Sequence, residues 1–125
     1  MGVGGGYWMH DKVLDPGGNR VEFLPGQGGL RVALIGEVDY ASRGQLDDAY
    51  TALTAHPPAD VVADLARTTF LDSVGLGFLV RLHHWVTSAG HVLTVAAPPT
   101  HVRRALMLTG LDRVLTITPQ PGAEA

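Results

Sequence analysis

The run Phe70-Leu71-Asp72-Ser73-Val74-Gly75-Leu76-Gly77 ends an apolar segment in Asp-Ser and continues at once into an apolar-periodic stretch with two early glycines. This pattern delivers a hydroxyl to the first turn of a helix. Backbone N–H groups there have no intrahelical acceptor, and the helix dipole favours added negative charge. A serine so placed is a helix cap, a nucleophile or a phosphate acceptor. The nucleophile is the weakest of these readings. A nucleophile elbow requires Gly-x-Ser-x-Gly, and position 71 is leucine. A triad also needs a base in register, and His10, His56, His83, His84, His91 and His101 have no spacing that supplies one. His83 and His84 are adjacent and point apart on a helix, and no His-Glu-x-x-His pair is present, so metal binding is not indicated. Neither the Gly2–Gly6 run nor the Gly75/Gly77 pair makes a dinucleotide loop, because the first precedes no helix and the second lies inside one.

Composition narrows the classes further. A chain of 125 residues is one domain with room for an ordinary core. It has no cysteine, which excludes disulfides and thiolate chemistry and fits a reducing cytoplasm. The net charge is −3 and Lys12 is the only lysine, so the basic stripe of a nucleic-acid reader is missing. No apolar run reaches the roughly 20 residues that span a membrane. The glycine-rich start does not read as a secretory signal.

The elements that must position Ser73 follow from periodicity. Residues 1–20 are glycine-rich, with a turn at Pro16-Gly17-Gly18, and read as a flexible leader. Val21–Leu24 and Leu30–Val38 form a hairpin around a loose loop, Pro25–Gly29. Asp39 caps a helix over Tyr40–Ala55, buried along Leu46, Ala49, Tyr50 and Leu53 and stopped by Pro57-Pro58. A strand follows at Asp60–Leu65, and Thr68–Asp72 approaches the serine. The central helix spans Ser73–Ala89, buried along Phe78, Leu79, Leu82, Trp85, Val86 and Ala89, with Arg81, His84 and Ser88 opposite and Gly90 as its stop. Then come a strand at His91–Ala96 and a helix over Thr100–Thr109 with Val102, Ala105, Leu106 and Thr109 inward. A last strand lies within Leu111–Ile117, and residues 119–125 are an irregular tail. Strand–helix alternation with short links predicts an α/β fold, a mostly parallel sheet with an N-terminal antiparallel hairpin.

Four segments, in order, carry a family resemblance: Gly36-Glu37-Val38-Asp39, Val61-Val62-Ala63-Asp64-Leu65, Phe70 to Gly77, and Thr109-Gly110-Leu111. With these the chain resembles the anti-sigma factor antagonists, built on the STAS (sulfate transporter and anti-sigma antagonist) domain, over residues 21–118. The resemblance implies a SpoIIAA-like fold in a cytoplasmic bacterial regulator of transcription that is not an enzyme and has no cofactor of its own. It implies that Ser73 is phosphorylated by an anti-sigma factor serine kinase using ATP and Mg²⁺, with a serine phosphatase as a further candidate partner. The unphosphorylated form would bind that kinase and so release a sigma factor. An alternative is a STAS scaffold subunit of a larger phosphorylation-controlled assembly. Glu37, Asp39, Asp72, Ser73, Val74, Gly75 and Leu76 are the expected partner-binding residues. Val74 stands where many members carry a second Ser or Thr, and Pro119-Gln120-Pro121-Gly122 leaves no room for their usual final helix.

The acidic residues have structural roles to weigh beside these. Asp72 either caps the helix or orients the Ser73 hydroxyl. Asp39 caps a helix or meets the kinase, and Asp64 ends its strand bonded to a nearby loop. Gly75 and Gly77 either permit close packing within the chain or the approach of a partner's backbone.

Overall fold

The computed structural model describes residues 12–14, 20–26 and 29–119. The strands are β1 (Lys12–Leu14), β2 (Arg20–Gly26), β3 (Gly29–Val38), β4 (Val61–Asp64), β5 (Thr68–Leu71), β6 (Leu93–Ala96) and β7 (Thr116–Thr118). The helices are α1 (Arg43–Thr54), α2 (Ser73–Ser88) and α3 (Thr100–Leu108), with 3₁₀ turns at Tyr40–Ser42 and Leu111–Arg113. The sheet order is β1-β2-β3-β4-β6-β7, with β5 paired to β3 off that path. β1 and β2 pair antiparallel, as do β2 and β3, and every later pairing is parallel. This is the expected mostly parallel sheet with an N-terminal hairpin.

Successive right-handed crossovers that step in one direction across a sheet put their helices on the same face. The strands bear this out by alternation. Val32, Leu34, Val61, Ala63, Leu93 and Val95 are buried toward the helices, whereas Arg31 is exposed and Ala33, Val62, Asp64, Thr94 and Ala96 are half-buried. Leu46, Ala49 and Leu53 of α1, Phe78, Leu79, Leu82 and Val86 of α2, and Val102 and Leu106 of α3 complete the core.

Several boundaries differ from the sequence reading. Lys12–Leu14, inside the segment read as a leader, forms a strand against β2. Hairpin pairing continues to Gly26↔Gly29, so it closes further than a five-residue loop would allow. The link itself and the remaining leader and tail residues lie outside the described residues. Asp39 caps a 3₁₀ turn instead of α1 directly. Leu111–Arg113 is a 3₁₀ turn, so β7 begins only at Thr116 and ends at Thr118, one residue past the expected limit at Ile117. Ala89 is exposed because it follows the last helical residue and leaves the stripe. Thr109 is exposed too, its hydroxyl bonded back to the Ala105 carbonyl at 2.9 Å. Tyr50, Trp85 and Ala105 are half-buried.

One irregularity positions the site. β3 is ten residues long, while β4 pairs only with Leu30–Ala33. The remainder of β3 is taken by β5 through Gly36↔Thr68, Glu37↔Phe70 and Val38↔Leu71, with a register shift between Gly36 and Glu37. Gly36 has φ +88°, a conformation that glycine adopts without a Cβ penalty, and its N–H donates to the Arg67 carbonyl at 2.9 Å. Buried Thr68 secures the switch of partners: its hydroxyl donates to the Leu34 carbonyl at 2.6 Å. Thr68→Val removes that donor at nearly constant volume. Loss of a buried hydrogen bond costs about 1 kcal/mol, so the urea midpoint should fall with an unchanged m-value. An unmoved midpoint would show that the hydroxyl does not anchor β5.

Candidate functional site

β5 runs alongside the far half of β3 and hands the chain to α2 at that end of the sheet. The Asp72 N–H donates to the Val38 carbonyl at 3.1 Å, which ties the strand-to-helix junction to the end of β3. Asp72, in extended backbone, is the N-cap: its Oδ1 accepts the Val74 N–H at 2.8 Å, and its carbonyl accepts the Leu76 N–H at 3.0 Å. Capping therefore falls to Asp72. Ser73 is the first helical residue, exposed, and its hydroxyl has no hydrogen-bond partner among the described residues. A serine that caps spends its oxygen on a backbone N–H; this one keeps both donor and acceptor for an outside group. No base is bonded to it, and no group of three or more His, Cys, Asp or Glu that could hold a metal exists among the described residues. No helix of the described residues is long and apolar enough to cross a membrane.

The β3–β5 register brings the other acidic residues to the same place. Glu37 pairs with Phe70 across the strands and is exposed. Asp39, one residue beyond β3, is half-buried and committed locally: its Oδ1 accepts the Ala41 N–H at 3.0 Å. Buried Ser42 locks this turn, accepting the Asp39 N–H and donating to the Glu37 carbonyl, each at 3.2 Å. Asp64 is occupied elsewhere, taking the Ala66 N–H at 2.9 Å and pairing with Arg31.

The two glycines of α2 divide. Gly75 is buried, and a Cβ there would collide with the Leu71 side chain and stand 3.0 Å from Val38 Cγ1. It lets the helix close onto the β3–β5 junction, so its expected place on a partner surface is corrected: it faces inward. Gly77 is exposed, and a Cβ there would meet nothing within 4 Å. Val74 and Leu76 are half-buried and pack against the core, each showing solvent only part of its side chain.

Sequence reasoning missed the exposed aromatic groups around Ser73. Tyr40 is 65% exposed and Phe70 49% exposed. Their signal was the register itself, since Phe70 adjoins Glu37 and Tyr40 follows the Asp39 cap; apolar character alone assigned them to no surface. It also missed a groove of about 290 Å³ between α1 and α2, lined by Arg43, Leu46, Asp47, Ser73, Gly77 and Arg81 among others. On its rim Arg81 pairs with Asp47 at 2.9 Å and lies 4.1 Å over the Tyr50 ring. Arg43 lies 4.3 Å over the Tyr40 ring.

Comparison with known proteins fits this geometry. The family described as Mlab, STAS domain matches residues 26–117. The chain belongs to the STAS domain family. A STAS-domain-containing protein of Pseudomonas aeruginosa is 27% identical over 89 residues, which is 71% of this chain and 87% of that protein. An anti-sigma factor antagonist from Mycobacterium paratuberculosis superposes with a TM-score of 0.68 at 29% identity, covering 86% of this chain and 92% of its own. The anti-sigma factor antagonist SpoIIAA in its unphosphorylated form superposes with a TM-score of 0.66 at 19% identity, covering 84% and 91%, and shares the STAS fold.

The glycines of this STAS domain give opposite expectations for the same substitution. Gly75→Ala overpacks the junction, a class of change that costs about 1–3 kcal/mol. Gly77→Ala meets open space and gains helix propensity of up to about 1 kcal/mol. Urea denaturation should show the first variant less stable than the parent and the second at least as stable; the reverse order would contradict the placement of Gly75.

Proposed function

We propose that this STAS domain is an anti-sigma factor antagonist switched at Ser73. Unphosphorylated, it binds an anti-sigma factor serine kinase in the cytoplasm, and the sigma factor so released joins RNA polymerase. The kinase phosphorylates Ser73 with ATP and Mg²⁺, the modified chain no longer binds, and a serine phosphatase resets it. The observation that carries this reading is the division of labour at the start of α2: Asp72 caps the helix, and the exposed Ser73 hydroxyl has no partner among the described residues. The 29%-identical antagonist and the shared fold support the partner class.

The physics favours a block to docking over a remodelled domain. A phosphate brings about −1.5 to −2 of charge at neutral pH. Within the chain it sits at a helix N-terminus, where N–H groups and dipole suit it. A partner's carboxylate about 5 Å away would be repelled by about 3 kcal/mol per unit charge at an effective dielectric near 20. Glu37, with its neighbour Phe70, and Tyr40 supply the surface against which the kinase would dock, with Val74 and Leu76 contributing their exposed parts. The kinase supplies the phosphoryl-transfer chemistry, and this chain is its substrate.

Incubation with a cognate anti-sigma kinase and Mg-ATP should add one phosphate, located at Ser73 by peptide mass, and none to Ser73→Ala. Ser73→Ala should still bind the kinase, whereas the phosphorylated protein should bind at least tenfold more weakly, a difference of about 1.4 kcal/mol or more. Modification at another residue, or equal affinity of both forms, would overturn the proposal. A large homo-assembly that responds to the phosphate, with no kinase complex, would instead favour the scaffold role.

A further inference from the structure

We propose that Arg43 is the intramolecular partner of a phosphate on Ser73, and that the two meet in the groove between α1 and α2. This rests on the reading of Ser73 as the phosphate acceptor and extends it to a residue that holds the modified state. Arg43 is the first residue of α1 and Ser73 the first of α2, the two helices pack together, and both residues line the same groove.

The two arginines on this groove are not equivalent. Arg81 is engaged, 2.9 Å from Asp47 Oδ1 and 4.1 Å over the Tyr50 ring. Arg43 has no carboxylate partner among the described residues; its guanidinium only rests 4.3 Å over Tyr40, itself largely exposed. An exposed cation–π contact is weaker than a bidentate, charge-assisted pair with a phosphate. The guanidinium therefore leaves the ring once a phosphate dianion stands beside it. Gly77, one turn beyond Ser73, leaves the groove open at that point, since a Cβ there would touch nothing within 4 Å.

Three of the nearby carboxylates have partners of their own. Asp47 is held by Arg81, Asp72 accepts the Val74 N–H, and Asp39 accepts the Ala41 N–H. Glu37 lies across the β3–β5 pair beside Phe70. With Arg43 drawn to the phosphate, the modified serine is folded against its own domain, and the Tyr40 ring loses the cation that covers it in the unmodified form.

The test uses full-length protein with phosphoserine inserted at position 73 during translation, and follows the phosphate by ³¹P NMR across pH. An arginine at contact favours the dianion, so the midpoint should lie below the roughly 6 of an ordinary phosphomonoester. In Arg43→Ala it should rise by roughly half a pH unit, and in Arg81→Ala, which acts only at a distance and by freeing Asp47, it should rise by less. Both arginines are exposed, so neither substitution disturbs the core. No change in Arg43→Ala, or a rise at least as large in Arg81→Ala, would overturn the assignment. Because the phosphoserine is installed without a kinase, failure of an enzyme to modify Ser73 and failure of the arginine contact are separate results.

Discussion

The site depends on one pairing, that of β5 with the far half of β3. Without it, β3 would run past its neighbour with bare backbone groups, and the chain entering α2 would have nothing to fix its height or direction. Three contacts hold the pairing: the Thr68 hydroxyl on the Leu34 carbonyl, the Gly36 N–H on the Arg67 carbonyl, and the Asp72 N–H on the Val38 carbonyl. Each satisfies a backbone group that the sheet ladder leaves over where β3 changes partners. The same pairing sets Glu37 against Phe70 and brings Asp39 to the start of α2. Gly75 lets the helix close down onto it.

From that support follows the separation of two tasks that adjacent residues could have shared. Asp72 satisfies the helix terminus, so Ser73 has no structural duty. A hydroxyl with no part in the fold can be modified without cost to the fold, which is what a reversible covalent switch requires. In the proposed function the added charge is tolerated by the domain and opposed by the docking partner, so a small local change reads out as a large change in affinity. The proposed contact to Arg43 adds an inward pull to that outward repulsion.

Much of this was legible in the residues. The order of strands and helices followed from periodicity and from the Gly and Pro punctuation, because each helix buries one stripe and each strand alternates. Glu37, Asp39, Asp72 and Ser73 were legible as site residues too, through the segments that carry the family resemblance. Long-range details were not. That β5 would be a strand off the main path depends on the surplus length of β3 and on Thr68, and neither has a local signature. Asp-Ser at a helix start offers two caps, and only the backbone shows which one is used. Gly75 and Gly77 look alike in a Gly-x-Gly string; tertiary contact with Leu71 and Val38 separates them. The aromatic and arginine surface of Tyr40, Phe70 and Arg43 came from register and helix packing, which patterning by hydrophobicity does not encode.

The central claim is that a phosphate on Ser73 changes what the domain binds and leaves its fold as it was. Comparison of backbone amide resonances of the unmodified protein and the phosphoserine-73 protein tests this most directly. The account predicts shifts confined to the first turns of α2, the Glu37–Ser42 segment and the start of α1, with the resonances of β6, β7 and α3 unmoved. Shifts spread across both ends of the sheet would contradict it, and would mean that the hydroxyl works by refolding the domain.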